Sequence, residues 1–197
     1  EMTDPITPNM RAIDALNPRD EAFENAIKGG ITTAATGPGS ANVIGGVFSV
    51  IKLHGNRIDD MIVKETLAMK CAFGENPKRV YNDKKMTPST RMGTAAKLRE
   101  TLAKTVEYRD KKLAAAGDAS KMPTYDMKLE AMLPVINKEI PLKAHAHRAD
   151  DIFTSIRIAK EFDVLLTLEH CTEGHLIADQ LAKEGYPAII GPSFGNK

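Results

Sequence analysis

Apolar positions in the last third of the chain follow two alternating rhythms. Ile140 to Ala146 is a compact apolar run, which predicts a strand. Ala149 to Phe162 places Ile152, Ile156, Ala159 and Phe162 on one helical face. Val164 to Glu169 reads as a strand, Gly174 to Lys183 as a helix stopped by Gly185, and Pro187 to Ile190 as a strand. Strands alternating with helices through short links predict parallel strands built from βα units. Upstream the rhythm is less even. The first 18 residues read as loop, Asp20 to Gly29 as a helix, and Ile31 to Thr36 as a strand that runs into Gly37-Pro38-Gly39-Ser40. Val47 to Leu53 and Met61 to Val63 flank Gly55-Asn56, which predicts a small β-hairpin insertion. Leu67 to Phe73 is a further strand, ending at Gly74-Glu75-Asn76-Pro77. A helix covers about Thr90 to Ala115, and Tyr125 to Lys138 reads as another despite Pro134.

Composition narrows the setting without naming a chemistry. The 197 residues are 42% hydrophobic and 27% charged, with a formal net charge of +1. No global field favours nucleic acid or a membrane as partner. The basic pairs Lys84-Lys85 and Lys111-Lys112 sit among acids and read as solvated surface. Cys71 and Cys171 lie in apolar runs, so buried free thiols in a reducing, cytoplasmic setting are expected. No apolar run reaches the ~18 residues of a membrane span, and no signal peptide opens the chain.

The histidines carry the first chemical signal. In parallel α/β architectures, ligands gather at the carboxyl ends of strands. One predicted strand ends in Ala144-His145-Ala146-His147-Arg148 and its neighbour in Glu169-His170-Cys171-Thr172-Glu173-Gly174-His175. Four of the chain's 5 histidines therefore meet at two adjacent strand ends. Alternation puts Lys143, His145 and His147 on one strand face, and Leu168 with His170 on a face opposite Glu169. Imidazoles grouped this way suit zinc or a similar metal, with His145 and His170 as ligands. His147 and His175 read as supporting or substrate-contacting residues. A sugar- or phosphate-binding mouth lined by hydrogen-bonded histidines is the other reading. The glycine loop at Gly37 matches neither the P-loop nor the dinucleotide pattern.

Gly30-Ile31-Thr32-Thr33, Ala144-His145-Ala146-His147 and Leu168-Glu169-His170 together resemble the amidohydrolase superfamily, most closely its imidazolonepropionase-like members. The resemblance runs over the whole chain. It implies a partial (β/α)8 TIM barrel of the α/β class, spanning 1–197 as a single domain with roughly strands two to seven. It also implies a divalent metal, zinc first, with manganese or iron as alternatives. His145 would be the fifth-strand ligand and His170 the sixth-strand ligand. Glu75 matches a third-strand glutamate ligand, and Lys70 a carboxylated fourth-strand lysine; Glu75 is favoured for its place at a strand end.

The family's first-strand His-x-His pair and eighth-strand aspartate, its general base, have no counterpart here. The expectation is therefore an internal piece of a hydrolase of amide or cyclic-amide bonds, inactive by itself. Its substrate would be a small molecule contacted by His147 and Arg148. Open strand edges would favour a homo-oligomer. Asp150 and Asp151 are expected to cap the following helix. The competing reading is a non-catalytic α/β ligand-binding or scaffold domain.

Overall fold

The computed structural model describes residues 1–191. Among these residues, six strands form one sheet in the order β1-β2-β3-β4-β5-β6. The chain opens with a loop that touches the sheet edge-on, through isolated parallel bridges from Ile6 to Ile44 and from Arg11 to Val47. Helix α1 (Glu21–Lys28) starts at Asp20, whose carboxylate accepts from the Ala22 amide. β1 (Thr33–Thr36) and β2 (Ile44–Lys52) are antiparallel, and β2 is antiparallel to β3 (Ile62–Ala72). The short helix α2 (Ile58–Met61) completes the turn between β2 and β3.

The expected hairpin is present, but its second arm is longer than predicted. Met61–Val63 and Leu67–Phe73 read as two strands, whereas one eleven-residue strand covers nearly all of both. Lys64 and Glu65, which interrupt the apolar pattern, are exposed, and Lys64 still pairs with Val50. A backbone ladder is satisfied whatever the side chains are, so polar outward residues do not end a strand.

From β3 onward the sheet is parallel. β3 is followed by α3 (Glu75–Asp83), α4 (Arg91–Ala115) and α5 (Met127–Ile136), then β4 (Leu142–Ala146), α6 (Ala149–Glu161), β5 (Leu166–His170), α7 (Ala178–Glu184) and β6 (Ala188–Ile190). β3 pairs with β4, β4 with β5, and β5 with β6. Helix α3 lies between the predicted strand end at Gly74-Glu75-Asn76-Pro77 and the predicted helix at Thr90, where the sequence pattern assigns no element. Pro77 falls in the first turn, where a missing amide proton costs nothing. In α4, Thr94, Ala95, Leu98, Thr101, Leu102, Thr105 and Tyr108 form the buried helical stripe.

The two faces of the parallel sheet have different contents. Met69, Cys71, Ala144, Ala146, Leu166 and Leu168 join Leu98, Leu102, Met132, Ile152 and Ile156 in a continuous apolar core. That is the helix-covered face. The opposite face carries Lys70, Lys143 and His145, all buried. Cys71 and Cys171 are free thiols, both buried. Among the described residues, no helix is long and apolar enough to cross a membrane.

Candidate metal centre

Three histidines converge at the carboxyl ends of β4 and β5. The His145 ring centroid lies 4.6 Å from that of His147 and 4.7 Å from that of His170. His147 and His170 stack at 4.9 Å with their planes 15° apart. One ring nitrogen from each can be chosen so that all three lie within 4.8 Å of one another. His147 thus belongs to the same group as the two residues expected to be ligands.

His170 reaches this group by an unexpected route. Strict alternation would put it with Leu168 on the helix-covered face, away from Glu169. Yet Glu169 reaches Lys143 on the inner face, and His170 meets His145 and His147 there too. The backbone explains this. His170 has φ 71 and Cys171 has φ 44, both left-handed for non-glycine residues. The Cys171 amide donates to the Glu169 carbonyl at 2.9 Å, closing a tight γ-turn centred on His170. The strand turns over at its last residue and swings the imidazole inward. Such left-handed non-glycine pairs concentrate at functional sites.

The loops that frame the rings are tied together. The Cys171 amide also donates to the Ala146 carbonyl at 3.1 Å, and the Glu173 amide to the His147 carbonyl at 2.9 Å. The Glu173 carboxylate accepts from the Ala149 amide at 2.9 Å and so caps α6. Of the two acids expected to cap α6, Asp150 accepts the first-turn Asp151 amide at 3.0 Å and also takes the Arg148 guanidinium, whereas Asp151 takes Arg91 at 3.1 Å.

Hydrogen bonds engage one nitrogen of each ring. His170 Nδ1 lies 2.6 Å from the Gly191 carbonyl, so it carries the proton and Nε2 holds the lone pair. His147 Nδ1 lies 2.6 Å from Thr172 Oγ1. His145 Nε2 lies 3.0 Å from the Asn76 side-chain amide, which also reaches Ser40 Oγ at 2.7 Å. His145 Nδ1 is buried without a hydrogen-bond partner. Burial, with the neighbouring His147, His170 and Lys70 adding to it, pushes the His145 pKa down to about 3. The ring is therefore neutral near pH 7, as a metal ligand must be.

Below the rings lies a charged cluster. Glu169 bonds both Lys70 and Lys143, the latter at 2.5 Å. The ammonium groups of Lys70 and Lys143 stand 5.6 and 5.2 Å from the Phe48 ring centroid, a cation–π distance. Gly37 lies against the same ring; a Cβ there would meet it at 2.2 Å, so the loop needs glycine to close over Phe48. Burial raises the Glu169 pKa, but the two lysines outweigh it and hold the carboxyl below its ordinary range.

The remaining predicted residues are placed as follows. Lys70 is buried in this cluster, two residues before Ala72, the register partner of His145. Glu75 sits in the first turn of α3, exposed, with Lys78 at 3.1 Å and Arg91 at 3.5 Å. It is not brought to the histidines. Arg148 is exposed at the start of α6, bonded to Asp150 at 2.8 Å. His175 is exposed, and its Nδ1 lies 3.0 Å from the Thr172 carbonyl. Sequence reasoning missed Asn76, Glu169 and Lys143 as members of the site. The alternation of Lys143 with His145 was the one available signal.

The donor set suits a divalent metal: three imidazoles, one with an unpartnered buried nitrogen and one with its far nitrogen already hydrogen-bonded. No protein-family model matches the chain. A crystal structure of an amidohydrolase from Thermotoga maritima MSB8 superposes with a TM-score of 0.95 at 47% sequence identity, over 100% of this chain and 52% of that one. The curated amidohydrolase tasK of Hapsidospora irregularis is 31% identical over 217 residues, covering 100% of this chain and 21% of its own length. The chain thus spans about half of one relative and a fifth of the other. Its curled sheet is part of a TIM barrel, and the chain belongs to the amidohydrolase superfamily.

Proposed function

We propose that the protein carrying this chain is a metal-dependent hydrolase of amide or cyclic-amide bonds, with zinc held by His145 and His170. The observation that carries the reading is the convergence of three imidazoles on one point, with His145 Nδ1 buried and unpartnered. A bound divalent metal supplies a water of lowered pKa, near ~7, and polarises the substrate carbonyl. The chain's own residues prepare that chemistry. The Gly191 carbonyl holds the His170 Nδ1 proton, leaving Nε2 as the ligating lone pair. The γ-turn at His170 aims the ring, and Thr172 steadies His147.

We assign contact with a small-molecule substrate to His147, just past the carboxyl end of β4, and to Arg148, exposed at the start of α6. Of the two further ligands that the resemblance offered, Lys70 has the better support. It is buried on the inner face beside the histidines, whereas the Glu75 carboxylate is engaged by Lys78 and Arg91. As an ammonium Lys70 has no lone pair, so it would serve only as a carbamate. Among the described residues no carboxylate joins the three-histidine group, so the 197-residue chain alone is expected to bind metal without turnover.

The test is an assay of the full-length protein against N-acyl amino acids, dipeptides and cyclic amides, before and after chelation. Loss of hydrolysis on chelation and its return with zinc or manganese is the expected result. Undiminished hydrolysis after complete metal removal would defeat the proposal.

A further inference from the structure

The Asn76 side chain lies between Ser40 and His145, and its place is set by a chain of rigid contacts. Gly74, with φ 77, turns the strand end into α3. Arg91 then pins that first turn, reaching Glu75 at 3.5 Å and Asp151 at 3.1 Å. Asn76 is the second residue of α3, so its amide is carried to His145 Nε2 at 3.0 Å and to Ser40 Oγ at 2.7 Å.

The hydrogen-bond inventory of this triad has two solutions. In one, the Asn76 NH2 donates to both Ser40 Oγ and His145 Nε2. His145 must then carry its proton on Nδ1, which is buried and has no acceptor. In the other, the amide is turned by half a rotation. Its carbonyl accepts from the Ser40 hydroxyl and from His145 Nε2–H, and Nδ1 is left as a lone pair. The hydroxyl can donate or accept, so it permits both arrangements. A buried unpaired N–H is penalised, whereas an unpaired lone pair beside two other imidazoles is what a metal completes.

We infer that Asn76 is a positioning residue that, through its side-chain carbonyl, fixes His145 as the Nε2–H tautomer and leaves Nδ1 as the ligating atom. The inference rests on the metal-site reading for its purpose, but the tautomer itself exists without metal. It also gives Glu75 and Arg91 a role: they hold the helix turn that delivers Asn76.

The test uses the full-length protein labelled with 15N-histidine, with the His145 signals identified by their loss in His145→Gln. Long-range 1H–15N correlation spectra of the metal-free protein are expected to show one tautomer, with Nε2 protonated. Asn76→Asp, which keeps an acceptor, should preserve it; Asn76→Leu should not. Zinc affinity, read by competition with a chromogenic chelator, should fall by roughly 10- to 100-fold in Asn76→Leu and recover in Asn76→Asp. Protonation on Nδ1 in the unsubstituted protein overturns the inference, whatever the variants do. So does a folded Asn76→Leu protein with unchanged tautomer and zinc affinity. If the unsubstituted protein shows the Nε2–H form but binds no zinc, the positioning role stands and the metal reading falls.

Discussion

His145 gives the site its pH dependence. Its ring is neutral in the folded protein because burial, with His147, His170 and Lys70 alongside, lowers its pKa to about 3. An unfolded chain would protonate the same ring near pH ~6.5. Between those two values the unfolded state binds more protons, so stability falls as the pH falls. The slope approaches about 1.4 kcal/mol per pH unit, and this contribution is constant above pH ~6.5. Urea unfolding of the chelated protein from pH 7 to 4 should show the slope, and His145→Asn should flatten it. An equal slope in the variant would assign the dependence elsewhere. Glu169 makes a second residue-scale prediction. It is the shared counter-ion of Lys70 and Lys143, whose side chains are 5% and 7% exposed. Glu169→Met strands two buried ammonium groups and is expected to cost roughly 3–5 kcal/mol. Lys143→Met leaves a balanced pair and should cost less. Equal losses in equilibrium unfolding would argue against a shared counter-ion.

Among the elements, the short helix α3 is the one that delivers a polar group to the histidines. Its start depends on Gly74, where φ is 77 and an added Cβ would sit 2.6 Å from Asp151 Oδ2. Gly74→Ala is expected to destabilise the fold by about 1–3 kcal/mol and to weaken zinc binding by displacing Asn76. A variant with unchanged melting temperature and zinc affinity would show that the turn tolerates the side chain. This helix was also the element that the sequence concealed. Its nine residues are mostly polar and bury only Pro77 and Tyr81, too few apolar positions to set a helical rhythm in the sequence. The βα units from Ile140 onward were legible because their apolar rhythm is driven by burial against a single core. The inward turn of His170 was not legible. It arises from two left-handed residues, a backbone state that no side-chain pattern announces.

For the molecule as a whole, one sheet separates two functions by face. The helix-covered face is uniformly apolar and supplies stability, while the inner face holds charge, imidazole and a ring-stacked glycine loop. The clustering of histidines at adjacent strand ends was visible from order along the chain, because parallel register brings Ala146 opposite His170. The lysine–glutamate cluster beneath them was not, since alternation places Glu169 on the face opposite His170, and only the left-handed turn at His170 brings both to the inner face. The account stands on the three rings forming a metal centre. Crystals grown with zinc, with anomalous differences measured at the zinc absorption edge, test it most directly. The expected result is a peak about 2.0–2.1 Å from one ring nitrogen each of His145 and His170. A zinc ion held elsewhere, with the three rings still hydrogen-bonded only to protein groups, would contradict it.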